Sequence, residues 1–206
     1  MNFEYAKENM IKQQILPEGV PLGRLIDAIQ DIPREKFLPK GFETLAYSDS
    51  NFTIGGREIK NPMVTARILD SLNIKEKDSV LKLGLECGYT LALIAKLAET
   101  IDVLDYSEES LTFVKRKLAS IGLYNAEFNS IEYLKNIFDE ERTYDCVYIS
   151  NTVREKEIDE SLLKLLKIGG RMCFFVKTAV CDKAFLVTKT SKDEYNKKFL
   201  FDVYNK

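Results

Sequence analysis

Histidine and tryptophan are absent from the 206 residues, and cysteine occurs only four times. The missing histidine excludes a Ser-His-Asp or Cys-His nucleophile, a histidine general base and a zinc site built on imidazole. No run of about 18 apolar residues is available to span a bilayer. The four cysteines, Cys87, Cys146, Cys173 and Cys181, form no C-x-x-C pair, and three lie inside apolar runs. That usage predicts buried free thiols in a reducing compartment, not a disulfide scaffold. A basic excess is lacking too: 30 Lys+Arg face 32 Asp+Glu, a net charge of −2, which argues against non-specific nucleic-acid binding. The opening segment Asn2-Phe3-Glu4-Tyr5-Ala6-Lys7-Glu8 is charged and has no apolar stretch of the signal-peptide kind. The expectation is a soluble cytoplasmic monomer with neither a membrane nor a nucleic-acid partner.

What is present suffices for a sizeable core: 45% of the residues are hydrophobic and 30% charged. Two zones differ in texture, 1–78 and 79–206, and the length suits their forming one compact domain together. The first zone holds all five prolines. Phe3 to Ile15 and Leu22 to Ile32 carry helical apolar spacing, closed by Pro17 and Pro33. Ala46 to Ile59, with Gly55-Gly56, reads as a loop or extended stretch, and Pro62 opens a helix through Leu72. The second zone alternates strands (Val80–Leu83, Ile101–Leu104, Ala126–Asn129, Cys146–Ile149, Arg171–Val176) with helices (Thr90–Ala98, Glu108–Ser120, Ile131–Phe138, Glu160–Leu166). This is the pattern of an α/β fold with a mostly parallel sheet. Phe185–Val187 and Phe199–Val203 follow without a helix, which predicts a closing antiparallel hairpin. Lys192 to Lys198 is expected to be a solvated loop.

Ligands of such sheets bind beyond the carboxyl ends of the strands. The first core strand runs into Gly84-Leu85-Glu86-Cys87-Gly88, two glycines that permit a tight turn and close backbone approach. Asp105 lies 105 − 84 = 21 residues beyond the first glycine, at the end of the next strand. There an acid is placed to accept the hydroxyls of a ribose. Glycine turn and acid together favour an adenosine-containing cofactor. The closing hairpin favours S-adenosylmethionine over NAD.

Glu8-Asn9-Met10-Ile11-Lys12-Gln13-Gln14, Ile32-Pro33-Arg34-Glu35-Lys36-Phe37-Leu38-Pro39, Leu45-Ala46-Tyr47-Ser48-Asp49, Ile54-Gly55-Gly56-Arg57 and Asn61-Pro62-Met63-Val64 occur in that order. With the Gly84 to Tyr89 turn, they resemble the protein-L-isoaspartate O-methyltransferase family, from about Met10 to Val176. The resemblance implies a Rossmann-like class I S-adenosylmethionine-dependent methyltransferase core with an N-terminal helical and acceptor-loop segment. It implies methyl transfer to the free α-carboxylate of isoaspartyl residues in a damaged protein or peptide. A carboxylate is already anionic at neutral pH, with an ordinary pKa near 4, so the absence of histidine is compatible with that reaction. The implied catalytic candidates are Asp49, Arg57 and Lys60; the implied cofactor-binding residues are Gly84, Glu86, Gly88, Asp105, Asn129 and Ser130.

The sequence departs from the family pattern at the contact positions. Lys82 stands where an acid is usual and Glu86 where a middle glycine is usual. Either the two pair with each other or Glu86 supplies a carboxylate to the methionyl ammonium; otherwise the pocket no longer takes the cofactor. Lys60 replaces a serine hydroxyl, and Arg57 or Lys60 is placed to hold a substrate carboxylate. Asn129-Ser130-Ile131-Glu132 replaces a Gly-Asp-Gly near the adenine, and Ser150-Asn151-Thr152 borders the pocket. The alternative is an impaired or repurposed relative, one that methylates another acceptor or serves as a non-catalytic binding protein.

Overall fold

The computed structural model describes residues 2–154, 158 and 160–204. Seven strands, β3 (Ser79–Leu83), β4 (Thr100–Asp105), β5 (Ala126–Ser130), β6 (Tyr144–Val153), β7 (Leu166–Lys177), β8 (Asp182–Lys189) and β9 (Tyr195–Val203), form one sheet. Its order is β5-β4-β3-β6-β7-β8-β9. The pairs from β5 through β7 are parallel, and β7–β8 and β8–β9 are antiparallel. The expected α/β architecture and closing hairpin are therefore present. The expected loop at Lys192 to Lys198 is corrected in its second half: Tyr195 onward belongs to β9, where Lys197 and Lys198 pair with Val187 and Leu186. Lys197 Nζ sits 4.4 Å from the Phe185 ring centre, so charge alone did not mark a loop.

Alternation along β3 sorts its side chains between two layers. Val80 joins a core built with α2 (Arg24–Asp31), α3 (Pro62–Leu72), α4 (Tyr89–Leu97) and α5 (Glu108–Ser120). Leu81 and Leu83 join the opposite core with α6 (Leu134–Asp139) and the segment following α7 (Glu160–Lys164). The first core runs unbroken from Met10 to Val203.

The N-terminal helix is expected to reach Ile15. It does so in two geometries, α1 (Phe3–Met10) and then a π-helical turn, Ile11–Ile15. Asn61 caps α3, its side chain accepting from the Val64 N–H at 2.8 Å, with Pro62 at the first turn. The stretch before it is a small hairpin, β1 (Phe52–Ile54) and β2 (Arg57–Ile59), turned by Gly55-Gly56. Both glycines have positive φ, 57° and 78°, the backbone that a two-residue hairpin turn requires.

The segment Ile32 to Pro39 fastens this hairpin to the core. Arg34 is buried; its guanidinium donates to the Lys60 carbonyl at 2.6 Å and lies 5.1 Å from the Tyr89 ring centre. The neighbouring Glu35 accepts from the Tyr47 hydroxyl at 2.5 Å. This segment thus holds the hairpin strand to the first residue of α4.

Candidate active site

The order of the sheet reverses at β3, which has β4 on one side and β6 on the other. The carboxyl end of β3 is therefore the topological switch point, where open parallel sheets bind ligands. Gly84 leaves β3 there with φ +85°, and Gly88 starts α4 with φ +90°. Each glycine is also required by space. A Cβ on Gly84 would meet Ser150 Oγ at 2.7 Å, and one on Gly88 would meet both Val114 methyls at 2.7 Å. Ser150 Oγ is 2.9 Å from the carbonyl oxygens of both Leu83 and Gly84.

Of the alternatives for Lys82 and Glu86, the structure has the two paired with each other. Lys82 is fully buried, with Nζ 3.2 Å from Glu86 Oε2 and 4.4 Å from the Tyr148 ring centre. Burial pushes the Lys82 ammonium below its ordinary value, although the Glu86 carboxylate works the other way. Glu86 carries a positive φ of 54°, a conformation a β-carbon resists. Its carboxylate cancels the only charge that Lys82 brings to the turn.

Asp105 ends β4 beside this turn and accepts four hydrogen bonds. The Leu85 N–H donates to Oδ2 and the Ser107 N–H to Oδ1, both at 2.9 Å. The other two come from Arg57 at the start of β2: Nη1 to Oδ2 at 2.8 Å and Nη2 to Oδ1 at 2.6 Å. Burial pulls the Asp105 carboxyl upward. Arg57 and the two backbone donors outweigh it and hold the group below the ordinary carboxylate range. Sequence reasoning selected both residues but missed that they pair, because 48 positions separate them and no periodicity links a hairpin to the end of β4.

A cleft of about 570 Å³ is lined by Arg57, which stands between it and the buried Asp105 carboxylate. Its walls include Phe37, Ile54, Arg57, Glu86, Cys87 and Phe113. Burial raises the Cys87 thiol, which keeps it protonated and poorly nucleophilic. Asn129 and Ser130 lie at the end of β5, in register with Leu104 and Asp105. Two of the sequence candidates, Arg57 and Glu86, line the cleft; Gly88, which caps α4, does not.

The remaining two candidates sit elsewhere. Lys60 is buried, 2.6 Å from Glu58 Oε1, 3.5 Å from Asp182 Oδ2, 3.3 Å from Thr152 Oγ1 and 4.6 Å from the Phe175 ring centre. This ammonium ties β2 to β6 and β8. Asp49 lines a separate small recess with Asn61, Met63 and Asp202 and accepts from Asn61 Nδ2 at 3.3 Å.

The carboxylates set the acid limit of the fold. Asp145, like Asp105, is held below the ordinary range: burial raises it, but Lys167 at 2.7 Å and the Ser79 N–H and hydroxyl prevail. As pH falls past the unfolded value of 3.8, the unfolded chain takes up protons that the native carboxylates still refuse. Both contributions are complete above that value and lost below it. Melting temperatures recorded from about pH 6 down to pH 3 should fall steeply below about pH 4, and less steeply in Asp145→Asn. An equal slope in that variant would remove Asp145 from the account.

Among the described residues no three His, Cys, Asp or Glu side chains converge as a metal site, and no helix is long and apolar enough to cross a membrane. The four cysteines are free. The whole chain overlays the Plasmodium falciparum beta-aspartate methyltransferase (PCMT) solved with S-adenosyl-L-homocysteine, at a TM-score of 0.79 with 18% identity, covering 100% of this chain and 97% of that one. A second solved structure, a protein-L-isoaspartate O-methyltransferase, gives 0.75 at 22% identity, covering 97% of this chain and 66% of that one. These likenesses establish the class I methyltransferase fold. In sequence, the chain is 28% identical over 204 residues to protein-L-isoaspartate O-methyltransferase 2 of Pelobacter propionicus, covering 98% of this chain and 89% of the relative. It is 28% identical over 190 residues to the protein-L-isoaspartate O-methyltransferase of Petrotoga mobilis, covering 92% and 88%. The sequence model of the protein-L-isoaspartate(D-aspartate) O-methyltransferase family matches residues 5–204, and the chain belongs to that family.

Proposed function

We propose that this protein transfers a methyl group from S-adenosylmethionine to the free α-carboxylate of isoaspartyl residues in proteins and peptides. The observation that carries the reading is the placement of Asp105. It ends the strand next to the switch point, and the Leu85 N–H of the glycine turn holds it at 2.9 Å. An acid so held is oriented to take a ribose diol.

The other residues fit the cofactor. Gly84 and Gly88 keep side chains out of the turn, and Asn129 and Ser130 stand in register beside Asp105 for the adenine. Lys82 brings no net positive charge towards a cationic ligand, because Glu86 pairs with it. S-adenosylmethionine supplies a methyl group on a sulfonium. The acceptor carboxylate is ionised at neutral pH and needs no base, so the chain's part is alignment and exclusion of water. Phe37, Ile54 and Phe113 give the cleft the apolar walls for that exclusion. Lys60 acts by anchoring the hairpin, through Glu58, Thr152 and Asp182. Free thiols fit a reducing, cytoplasmic setting, and a net charge of −2 fits a protein acceptor in place of nucleic acid; action as a monomer away from membranes is part of the same proposal.

The test is transfer of a labelled methyl group to a synthetic isoaspartyl peptide, with its aspartyl isomer as control. Label in the first peptide alone is the expected result. Binding of S-adenosylhomocysteine without label in either peptide would favour the second reading, a relative acting on another acceptor. That reading draws on Lys60, which puts a buried, ion-paired ammonium where the family pattern has a hydroxyl.

A further inference from the structure

We infer that Arg57 competes with the cofactor for Asp105, so that the hairpin β1–β2 must release its hold on β4 before the cofactor can seat. The inference rests on the methyltransferase reading and concerns how the site is entered.

The argument is a count of acceptor positions. An ionised carboxylate offers about four lone-pair sites, and Asp105 has four donors within 2.9 Å. Two of them, the Leu85 and Ser107 N–H groups, belong to the turns that shape the site and stay with it. The two that remain are spanned by the guanidinium of Arg57, a planar fork presenting parallel donors to both oxygens. A ribose presents its two neighbouring hydroxyls to a carboxylate in the same two-pronged way. Fork and diol therefore exclude one another: to bind the sugar, Asp105 must give up Arg57.

The geometry lets Arg57 leave and Asp105 stay. The Arg57 side chain is 29% exposed and that of Asp105 is 3%. Arg57 stands directly after the Gly55-Gly56 turn, on a two-stranded element of three residues per strand. The opposite end of that hairpin is fixed by Lys60, Glu58 and Asp182 and by Arg34 on the Lys60 carbonyl. Opening is thus confined to the tip, which lines the cleft through Ile54, Gly55 and Arg57. A ligand that binds only the open arrangement has its affinity lowered by the fraction of molecules that are open. Removing the guanidinium fork removes that penalty.

Isothermal titration with S-adenosylhomocysteine reads the penalty directly. Arg57→Met keeps the apolar stem and removes every donor, and should bind about tenfold more tightly than the wild type. Arg57→Lys keeps the charge without the fork and should fall between the two. Hydrogen exchange on the wild-type protein supplies a readout that does not depend on either variant folding. Adding S-adenosylhomocysteine should speed exchange at the amides of Thr53 to Glu58, against the usual protection by a ligand. Equal or weaker binding by Arg57→Met, or protection of the hairpin tip, overturns the competition. If the wild type binds the ligand and methylates the isoaspartyl peptide while these results fail, only the competition is lost. If neither wild type nor variant binds at millimolar ligand, the methyltransferase reading falls and this inference with it.

Discussion

Asp105→Ala should lose about 100-fold or more in affinity for S-adenosylhomocysteine, since both bidentate positions for the ribose disappear with the carboxylate. The variant also strands the Leu85 and Ser107 N–H groups, which donate to Asp105 at 2.9 Å. Each unpaired buried donor costs about 1–3 kcal/mol, so the melting temperature should fall as well. Asp105→Asn separates the two effects. It keeps the side-chain volume and one acceptor oxygen but replaces the second with a donor, so it should recover part of the stability and little of the affinity. Titration calorimetry and thermal unfolding on the three proteins give both quantities. Wild-type affinity in Asp105→Ala would end the assignment of this residue to the ribose. The two partners of one ion pair are thereby predicted to act in opposite directions, Arg57 loosening cofactor binding and Asp105 securing it. A pair whose role was structural alone would move both variants the same way.

Glu86→Ala should destabilise the fold by about 3–5 kcal/mol, the usual cost of leaving a buried charge without its partner. Lys82 has no exposed surface, and without Glu86 it is left with the Tyr148 ring at 4.4 Å and the weaker pull of Asp105. Apolar replacement of a whole buried pair is often neutral or stabilising. The double variant Lys82→Met/Glu86→Ala should therefore regain most of the loss, in a denaturant titration where the single variant shows it. If Glu86→Ala costs under about 1 kcal/mol, or the double variant is no better, the pair is not what keeps Lys82 buried.

The elements that the sequence made legible are those whose signal is local. Helix α5 starts and ends at Glu108 and Ser120 as its apolar spacing and Ser107 cap imply. Strands β3 to β7 appear where the apolar runs place them; β3, β4 and β5 differ by no more than a single residue at either end, and β6 and β7 run further, β7 beginning five residues earlier at Leu166. The pairing of Lys82 with Glu86 was also within reach, because strand and turn bring positions four apart to one spot. What stayed hidden depends on contacts between distant segments. Arg57 read as a free cation for a substrate carboxylate, yet a hairpin 48 residues upstream of Asp105 delivers it to the chain's own acid. Lys60 read the same way, yet it is neutralised by Glu58 and by Asp182 of β8. Arg34 and Glu35 marked the family without revealing a role, which became visible once Tyr89, Lys60 and Tyr47 surrounded them.

The walls on either side of the glycine turn also determine where a randomised gene library can find diversity. Gly84 faces Ser150 and Gly88 faces Val114, each at a distance no β-carbon tolerates, and both φ values are positive. Glu86 and Cys87 instead face the open cleft. Of the five codons from 84 to 88, the outer two should return glycine alone unless positions 150 or 114 are varied with them. The codon for 86 should return glutamate unless position 82 is varied with it, because Glu86 is the partner of the buried Lys82, so new ligand preference within this turn has its easiest entry at position 87.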